Sequence, residues 1–236
     1  HWDYLNEQIR KLYPRRAEQV GVFVIQIADG SRAAEISQAI DGEFRNSLVT
    51  VGEKTGVYHK RHLVPFGEYF PVPDFIRNVL RLMNLPYTDI TPGLDGQRPL
   101  LARGVALAPT ICYEDAFGSE LRDFLPEAGL LVNLSNDGWF GDSIAPHQHL
   151  QMARFRALES GRYMLRSTNT GITAVIDPRG VIVGQGEQFK AVVVTATVQP
   201  RKGATPWVRF GNWPVLAACV LLLASAAVVS LRPSFT

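Results

Sequence analysis

A cysteine followed by acidic residues ends an apolar run of the chain, a position from which it can act as a nucleophile. The run begins at Val105 and leads into Cys112, after which Tyr113, Glu114 and Asp115 follow. Buried strands of α/β proteins end at the rim of the sheet, where such proteins place their chemistry. A thiol in a polar loop attacks a carbonyl carbon when a base or a cation lowers its pKa. This segment alone leaves open the alternative of a half-buried structural cysteine.

Charged residues elsewhere are candidate partners for such a thiol. Lys60 can stabilise a thiolate and later the oxyanion of a tetrahedral intermediate, although a lysine in the basic run 59–62 is more often solvated. Glu68 lies in a segment, 59–71, whose two prolines and glycine exclude a regular helix or central strand. Loops of this rigidity usually position a functional group. A desolvated glutamate can act as a general base, and Glu114 is a second candidate for that role.

The composition gives little support for metal, cofactor or nucleic-acid binding. His147 and His149 lie two positions apart on a predicted helix and so point to different faces. No cysteine or carboxylate has a spacing that would complete a metal site with them. We therefore expect no metal and no cofactor. The net charge of +2 and the absence of a long basic stripe predict no nucleic-acid partner, and two cysteines make no disulfide framework.

The hydrophobic pattern predicts the elements that position these residues. Buried strands are predicted over residues 20–28, 105–111 and 129–134, where the apolar runs are continuous. The mixed segment 44–51 predicts an exposed or edge strand. Helices are predicted over residues 3–18, 74–85, 117–125 and 146–161, and further strands over residues 163–168, 173–176, 181–183 and 191–198. Pro146 and Gly161 mark the ends of the last helix. Strands that alternate with helices, followed by consecutive strands, predict a layered α/β domain.

The C-terminal segment has a different composition. Residues 214–231 carry no charge and are mostly Leu, Ala and Val. About 18 such residues are near the lower limit for crossing a bilayer. Trp207 and Trp213 precede this segment and Arg232 follows it, as interfacial anchors would. The pattern predicts a transmembrane helix, with a buried core helix or a cleaved tail as the alternatives.

These patterns divide the chain into two parts. We predict a catalytic domain over residues 1–206, and a transmembrane helix with a short tail over residues 207–236. The chain begins with His1 and shows no signal peptide, so we expect the C-terminal portion of a longer protein. Cations before the apolar segment outnumber the single one after it, which weakly favours a cytoplasmic location for the domain.

Six groups of residues, in order along the chain, resemble the nitrilase-superfamily domain of the apolipoprotein N-acyltransferase family. They are Tyr58-x-Lys60-x-His62-Leu63-Val64-Pro65-Phe66-Gly67-Glu68, Ile111-Cys112-Tyr113-Glu114, Asn133-Leu134-Ser135-Asn136-Asp137-Gly138-Trp139-Phe140-Gly141, Pro146-x-Gln148-His149, Arg156-Ala157-Leu158-Glu159-x-Gly161-Arg162 and Thr168-Asn169-Thr170-Gly171-Ile172-Thr173. Gly203-x-Thr205-Pro206 and the final apolar segment extend the resemblance, which covers about residues 20–231. Several independent motifs in the same order make this resemblance specific.

The resemblance implies an αββα sandwich that carries a Glu-Lys-Cys triad on a membrane-embedded base. By the matching positions, Cys112 is the nucleophile, Lys60 the triad lysine and Glu68 a second functional glutamate. Tyr113 and Glu114 match the neighbours of the family's cysteine. Trp139 lies in the matching aromatic loop and is a supporting residue.

One part of the family pattern has no match. The family's general-base glutamate lies in a Pro-Glu segment at the end of an earlier strand, and Glu7, Glu18, Glu35 and Glu43 lack that setting. The family's N-terminal bundle of membrane helices has no counterpart either. We expect both features to precede His1 in the complete enzyme. The resemblance therefore implies that the nitrilase-like catalytic domain, residues 1–206, lacks its first strand or strands here.

The implied reaction moves an acyl chain from a phospholipid, through a cysteine thioester, to the α-amino group of a lipoprotein's N-terminal S-diacylglyceryl-cysteine. The implied partners are the phospholipid donor, the lipoprotein acceptor and the membrane. The implied location is the bacterial inner membrane, with the catalytic domain facing the periplasm. Two alternatives remain open: a nitrilase-type amidase that hydrolyses small C–N bonds, and a non-catalytic membrane-tethered binding module.

Overall fold

Ten strands form two sheets in the part of the chain that the computed structural model describes, which comprises residues 24–26, 32–40, 43–51, 55–73, 76 and 90–230. The first four strands form an antiparallel sheet in chain order: β1 (Val24–Gln26), β2 (Arg32–Ile40), β3 (Glu43–Val51) and β4 (Gly56–His59). β2 and β3 pair along their whole length, from Arg32 opposite Val51 to Ile40 opposite Glu43. The strand predicted over residues 20–28 is described only as β1.

The prediction of an exposed or edge strand over residues 44–51 is wrong, because β3 lies between β2 and β4. Leu48 and Val49 are inaccessible to solvent. Ser47 is also buried, and its hydroxyl oxygen lies 2.8 Å from Nδ1 of His59 on β4. Buried polar side chains are accommodated when they have hydrogen-bond partners. A mixed pattern of polar and apolar residues therefore does not require an exposed strand.

The other six strands form a mixed sheet in the order β10-β9-β8-β7-β6-β5. They are β5 (Leu100–Ala102), β6 (Val105–Ile111), β7 (Leu130–Ser135), β8 (Met164–Thr168), β9 (Ala174–Ile176) and β10 (Ile182–Gln185). β6, β7 and β8 are parallel to one another at the centre of the sheet, whereas the outer strands are antiparallel to their neighbours. Every residue of β7 is buried, as expected for a parallel strand that is covered on both faces.

The strand predicted over residues 191–198 is wrong, because this segment forms no strand. Val192 and Val194 instead place their side chains over two glycines of the β10 region. A Cβ atom on Gly186 would come within 2.5 Å of Val192, and one on Gly184 within 3.0 Å of Val194. The apolar residues of this segment therefore pack on β10 through side chains and not through a ladder of backbone hydrogen bonds.

Two helices follow the central strands. α1 (Gly118–Leu121) follows β6 and continues as a 3-10 turn over Arg122–Phe124, and α2 (Ala145–Ser160) follows β7. Pro146 lies in the first turn of α2, and Gly161 ends it with a φ of +66°, a left-handed conformation that glycine adopts readily. The predicted helices 117–125 and 146–161 are thus confirmed.

The two sheets face each other, since β3 contacts β5 and β6 and β1 contacts β8. α2 packs on β8 and on the turn that follows β6. One buried apolar cluster joins these layers; it includes Leu48 on β3, Ile111 on β6, Leu134 on β7 and Ala153 on α2. The helix predicted over residues 3–18 lies outside the described residues, and so does the helix predicted over 74–85 except for Ile76.

The C-terminal segment forms two helices, α3 (Pro206–Phe210) and α4 (Trp213–Ser230). α4 contains no charged residue, and most of its apolar side chains are exposed. In the described part of the chain, no helix has the length and hydropathy of a membrane span, so the predicted transmembrane helix is not supported. An 18-residue helix is about 27 Å long, slightly shorter than the roughly 30 Å hydrocarbon core of a bilayer. The tail from residue 231 onward lies outside the described residues.

Candidate active site

Cys112 lies directly after β6 and begins a 3-10 turn that ends at Ala116. Its backbone φ is +53°, in the left-handed region that costs a residue with a side chain about 1–2 kcal/mol. Strain of this kind persists where the surrounding structure imposes it, and it is common at active sites. The predicted position of Cys112 at the end of a buried strand is confirmed, and the residue is partly buried.

Side chains from a neighbouring strand and helix hold the backbone of Cys112. Asn133 on β7 donates from Nδ2 to the Cys112 carbonyl oxygen over 3.3 Å. His149 on α2 approaches the same oxygen with Nε2 at 3.1 Å. The amide of Asn133 is itself fixed, because it also donates to the Thr110 hydroxyl over 3.0 Å. The strained turn is therefore attached to two other elements of the domain.

Glu114 joins the segment that bears Cys112 to the segment that bears Lys60. Its Oε2 accepts a 2.7 Å bond from the Ile111 backbone N–H. Its Oε1 accepts bonds from the backbone N–H groups of Arg61 and His62, at 2.6 and 3.1 Å, and from the Tyr58 hydroxyl at 2.8 Å. One buried carboxylate therefore fixes the end of β6 relative to the end of β4.

The environment of Glu114 suits an acceptor of hydrogen bonds better than a proton carrier. Burial raises the pKa of the Glu114 carboxyl, whereas its four donors act in the opposite direction. Burial, together with the neighbouring carboxylate, also raises the pKa of Tyr58 well above its usual value, so the phenol keeps its proton and donates it. Both oxygens of Glu114 thus accept hydrogen bonds that join two segments of the chain, which favours a structural role over proton transfer from Cys112.

Lys60 is buried and paired, so the alternative of a solvated lysine is wrong. It is only 1% exposed, and its Nζ lies 2.7 Å from Oε1 of Glu68. The same Glu68 oxygen accepts a 2.8 Å bond from Nδ2 of Asn46, and the other accepts a 2.7 Å bond from the Val64 backbone N–H. The irregular loop expected around Glu68 is present. Its carboxylate orients the lysine.

A buried network of four charged side chains lies next to the turn that begins at Cys112, and the sequence motifs did not predict it. Arg166 on β8 reaches Asp115 with Nη1 at 3.2 Å and Asp137 with Nη2 at 3.0 Å. His149 reaches Asp115 with Nε2 at 3.0 Å and Asp137 with Nδ1 at 2.9 Å. The Ser135 hydroxyl donates a further 2.7 Å bond to Asp137. The network thus connects the turn after β6, the end of β7, β8 and α2.

Opposite charges in this network shift the pKa of two members. Burial would raise the pKa of Asp137, but the hydrogen bond from His149 and the charge of Arg166 outweigh it and lower that pKa to about 2. Burial would lower the pKa of His149, but Asp115 and Asp137 outweigh it and raise that pKa to about 9. At neutral pH the network therefore holds two cations and two anions.

One signal in the sequence could have indicated this network. The alternating burial of β8 places Arg166 on a buried face of a central strand, and a buried arginine needs anionic partners. His147 and His149 do not act together: His147 is exposed, whereas His149 is buried against two aspartates. The structure contains, over its described residues, no group of three histidine, cysteine or acidic side chains arranged to hold a metal ion.

Aromatic side chains surround the exposed edge of the site. The rings of Tyr113 and Phe117 meet edge-on with centroids 4.9 Å apart, and His62 stacks on Phe117. Nδ1 of His62 lies 2.8 Å from Oε1 of Glu120. Trp139 is 77% exposed, in a 3-10 turn over Asp137–Phe140 that directly follows the buried network. Trp139 therefore projects from the surface and is not packed into the site.

Comparison with known proteins identifies the family to which this site belongs. The carbon-nitrogen hydrolase family profile matches residues 18–206. The chain belongs to the carbon-nitrogen hydrolase family. A solved carbon-nitrogen hydrolase from Helicobacter pylori G27 is similar in fold, with a TM-score of 0.52 at 18% identity over 69% of this chain and 58% of that one. The predicted nitrilase-like α/β fold is thus confirmed.

Curated relatives with higher sequence identity carry a more specific name. The chain is 50% identical over 182 residues to the apolipoprotein N-acyltransferase of Methylococcus capsulatus, which covers 77% of this chain and 36% of that protein. It is 46% identical over 191 residues to the apolipoprotein N-acyltransferase of Nitrosomonas europaea, which covers 80% and 38% respectively. The chain therefore spans little more than a third of the length of these relatives.

Proposed function

We propose that this carbon-nitrogen hydrolase domain carries the catalytic site of a phospholipid:lipoprotein N-acyltransferase. The names of its relatives support this assignment. The observation that carries it is the joint placement of Cys112 and Lys60. A strained cysteine at a strand end is attached through Glu114 to the segment of a buried lysine.

The first half-reaction forms a thioester. The Cys112 thiolate attacks the ester carbonyl carbon of a phospholipid, so that a carbon–sulfur bond forms and the ester carbon–oxygen bond breaks. The lysophospholipid leaves as an alcohol with the proton that the thiol gave up. The Lys60 ammonium stabilises the thiolate and the oxyanion of the tetrahedral intermediate, and Glu68 holds its position through the 2.7 Å ion pair.

The second half-reaction transfers the acyl chain to an amine. The α-amino group of an S-diacylglyceryl-cysteine attacks the thioester carbonyl carbon; a carbon–nitrogen bond forms and the carbon–sulfur bond breaks. A proton from the amine restores the thiol. Because Glu68 is paired with Lys60 and Glu114 joins two backbone segments, we assign the proton acceptor to a third carboxylate, the role that the family gives to its general-base glutamate.

The exposed rim fits a lipid substrate. Tyr113 directly follows the proposed nucleophile, and Trp139 lies in the 3-10 turn after β7. Both are exposed aromatic side chains, which offer a large apolar surface to a lipid chain. We assign supporting roles in substrate binding to both residues. Glu114 supports catalysis indirectly, because it fixes the distance between the two segments of the site.

We propose that residues 1–206 form the catalytic domain and that residues 207–236 attach it to the bacterial inner membrane, with the domain on the periplasmic side. The apolar side chains of α4 are exposed along its length, among them Leu216, Leu221 and Leu223. Exposed apolar surface of this extent is typical of contact with a membrane or another protein. The phospholipid donor and the lipidated acceptor would then both be present in the same membrane.

The family itself favours a second candidate function, hydrolysis of a small amide, which uses the same thioester. The decisive experiment incubates the complete natural protein with phospholipid and examines its cysteines by mass spectrometry. We expect a hydroxylamine-sensitive acyl group on Cys112 and none on Cys219, which serves as an internal control on α4. An acyl adduct that persists in Cys112→Ala, or turnover of small amides without any phospholipid reaction, would contradict the proposal.

A further inference from the structure

His149 is surrounded by groups that can only accept hydrogen bonds. Its Nδ1 lies 2.9 Å from Asp137 Oδ1, and its Nε2 lies 3.1 Å from the Cys112 carbonyl oxygen and 3.0 Å from Asp115 Oδ1. Carbonyl and carboxylate oxygens supply no proton for such a bond. A neutral imidazole has one donor, whereas an imidazolium has two. Hydrogen bonds from both ring nitrogens therefore require the charged form of His149.

The charges around His149 lead to the same form. The charged groups that face it are Asp115 from the turn after β6, Asp137 from the end of β7 and Arg166 from β8. Asp115, Asp137 and Arg166 are inaccessible or nearly so. With His149 protonated, the four charges sum to zero; with His149 neutral, one negative charge is left buried. An uncompensated buried charge is strongly unfavourable.

We propose that His149 is a positioning residue, which as an imidazolium holds the strained backbone of Cys112 by donating to its carbonyl oxygen. The inference rests on the proposed role of Cys112 as nucleophile. Loss of the ring proton leaves a lone pair on one nitrogen, directed at an acceptor. When Nε2 is the nitrogen that loses its proton, its contact with the Cys112 carbonyl oxygen becomes repulsive, and the ring moves away from Cys112. The left-handed conformation of Cys112, with φ +53°, loses one of its restraints.

The proposal predicts an alkaline limit to the reactivity of Cys112. The pKa of His149 is raised to about 9 by its two aspartates, against the burial that would lower it. Because the pKa is raised, the imidazolium is fully present below the ordinary histidine pKa and is lost as the pH rises through about 9. Above that midpoint, the protonated fraction falls about tenfold for each pH unit.

The experiment measures thioester formation from an activated ester. The complete natural protein is mixed with p-nitrophenyl butyrate, and the burst rate of p-nitrophenolate is followed from about pH 7 to about pH 10.5, with Cys112→Ala as the background. This substrate needs neither phospholipid nor lipoprotein. Failure of the proposed function with phospholipid would therefore leave this measurement intact.

Three variants separate positioning from general stability. Gln in His149→Gln puts an amide N–H near the position of Nε2 and carries no proton that titrates. We expect it to keep part of the burst rate at neutral pH and to lose the alkaline decline. His149→Asn reaches only the position of Nδ1, and we expect at least about a tenfold loss of the burst rate at neutral pH. His147→Gln alters the exposed histidine of the same helix and should match the unaltered protein.

The pH profile distinguishes this proposal from a structural role. A histidine that only stabilises the fold would lower the thermal midpoint in both His149 variants without moving the alkaline decline. An unchanged decline in His149→Gln would overturn the proposal, because a different group would then be its source. A neutral-pH burst rate in His149→Asn equal to that of His147→Gln would overturn it as well.

Discussion

Contacts of both its side chain and its backbone fix the position of Lys60. Its single Nζ meets Glu68 at 2.7 Å while the backbone N–H donates to Asn46 over 2.8 Å. A guanidinium is planar and places its donors differently, so arginine does not replace a lysine that is fixed in this way. The charge of Lys60 therefore acts at one point of the site and not as a diffuse positive field.

We predict that Lys60→Ala lowers the rate of Cys112 acylation by about 100-fold or more, as expected for loss of a group that stabilises an oxyanion. Lys60→Arg should not restore the rate. The measurement is single-turnover formation of the acyl-enzyme in the complete natural protein. Full activity in Lys60→Arg would show that only a positive field is needed.

Glu114 gives a second prediction, on stability. In Glu114→Gln, the NH2 group of the amide faces an N–H or O–H group that now donates a hydrogen bond to the carboxylate. At least one charged hydrogen bond is therefore lost. We expect the free energy of unfolding to fall by about 2 kcal/mol, as measured by chemical denaturation. Glu127→Gln at an exposed position is the matched control and should change it by less than about 0.5 kcal/mol. Equal effects in the two variants would contradict the role of Glu114.

The positions of the candidate residues in the fold could be predicted from the sequence, but their environment could not. Cys112 stands out because it ends an apolar run, and Glu68 because prolines and glycine surround it. The burial of Lys60 depends on Glu68, which an irregular loop brings to its side chain, and on Asn46 of the neighbouring strand β3. The local sequence composition does not predict such contacts. For the same reason, the partners of Arg166 became apparent only in three dimensions.

At the level of elements, prediction succeeded where the ends and periodicity of a segment are determined locally. α2 has proline at its first turn and glycine after its last residue, and its predicted bounds agree with the structure to within a residue at each end. β2 has no apolar run, since its sequence is RAAEISQAI. It is a strand because all nine of its residues pair with β3, and pairing between strands cannot be deduced from the composition of one strand.

Arg122, from the turn after α1, contacts α3 at the junction between the domain and α4. Arg122 donates from Nε and Nη2 to the Val208 carbonyl oxygen over 3.2 Å. Its guanidinium also lies over the ring of Trp207, 5.8 Å from the centroid. These contacts occupy the carbonyl groups at the C-terminal end of α3, which no intrahelical donor reaches.

We therefore predict that Arg122→Met loosens α3 while it leaves the catalytic sheet intact. Methionine keeps the apolar stem over Trp207 but removes the donors. Amide exchange at Gly211, whose N–H bonds to the Trp207 carbonyl oxygen over 2.7 Å, should become about tenfold faster. Lys202→Met at an exposed position is the control. Unchanged exchange at Gly211 in Arg122→Met would mean that packing alone holds α3.

For the whole molecule, the proposed orientation and the local charge distribution disagree. The proposed function places the domain in the periplasm, whereas Arg201, Lys202 and Arg209 precede α4 and only Arg232 follows it. Basic residues favour the cytoplasmic side of a membrane, but large domains cross it regardless of such charges. We expect the domain to override the local charges.

A reporter fused after Thr236 tests this orientation. If the domain is periplasmic and the apolar segment crosses the membrane once, an alkaline phosphatase fused there stays inactive and a fluorescent protein fused there emits. The same reporters fused in the complete natural protein after Gly203, before α3, form the matched control and should give the opposite result. Active phosphatase after Thr236 would refute the proposed orientation.

The buried network of Asp115, Asp137, His149 and Arg166 has a consequence for how the sequence can change. The two positive and two negative charges balance only when all four side chains are present. Loss of one side chain leaves an uncompensated buried charge, which destabilises the fold. Single replacements should therefore lower activity, and fully active variants with changes in this network should carry compensating pairs. If all four codons are randomised together and active clones are selected, most survivors should again carry four side chains whose charges sum to zero.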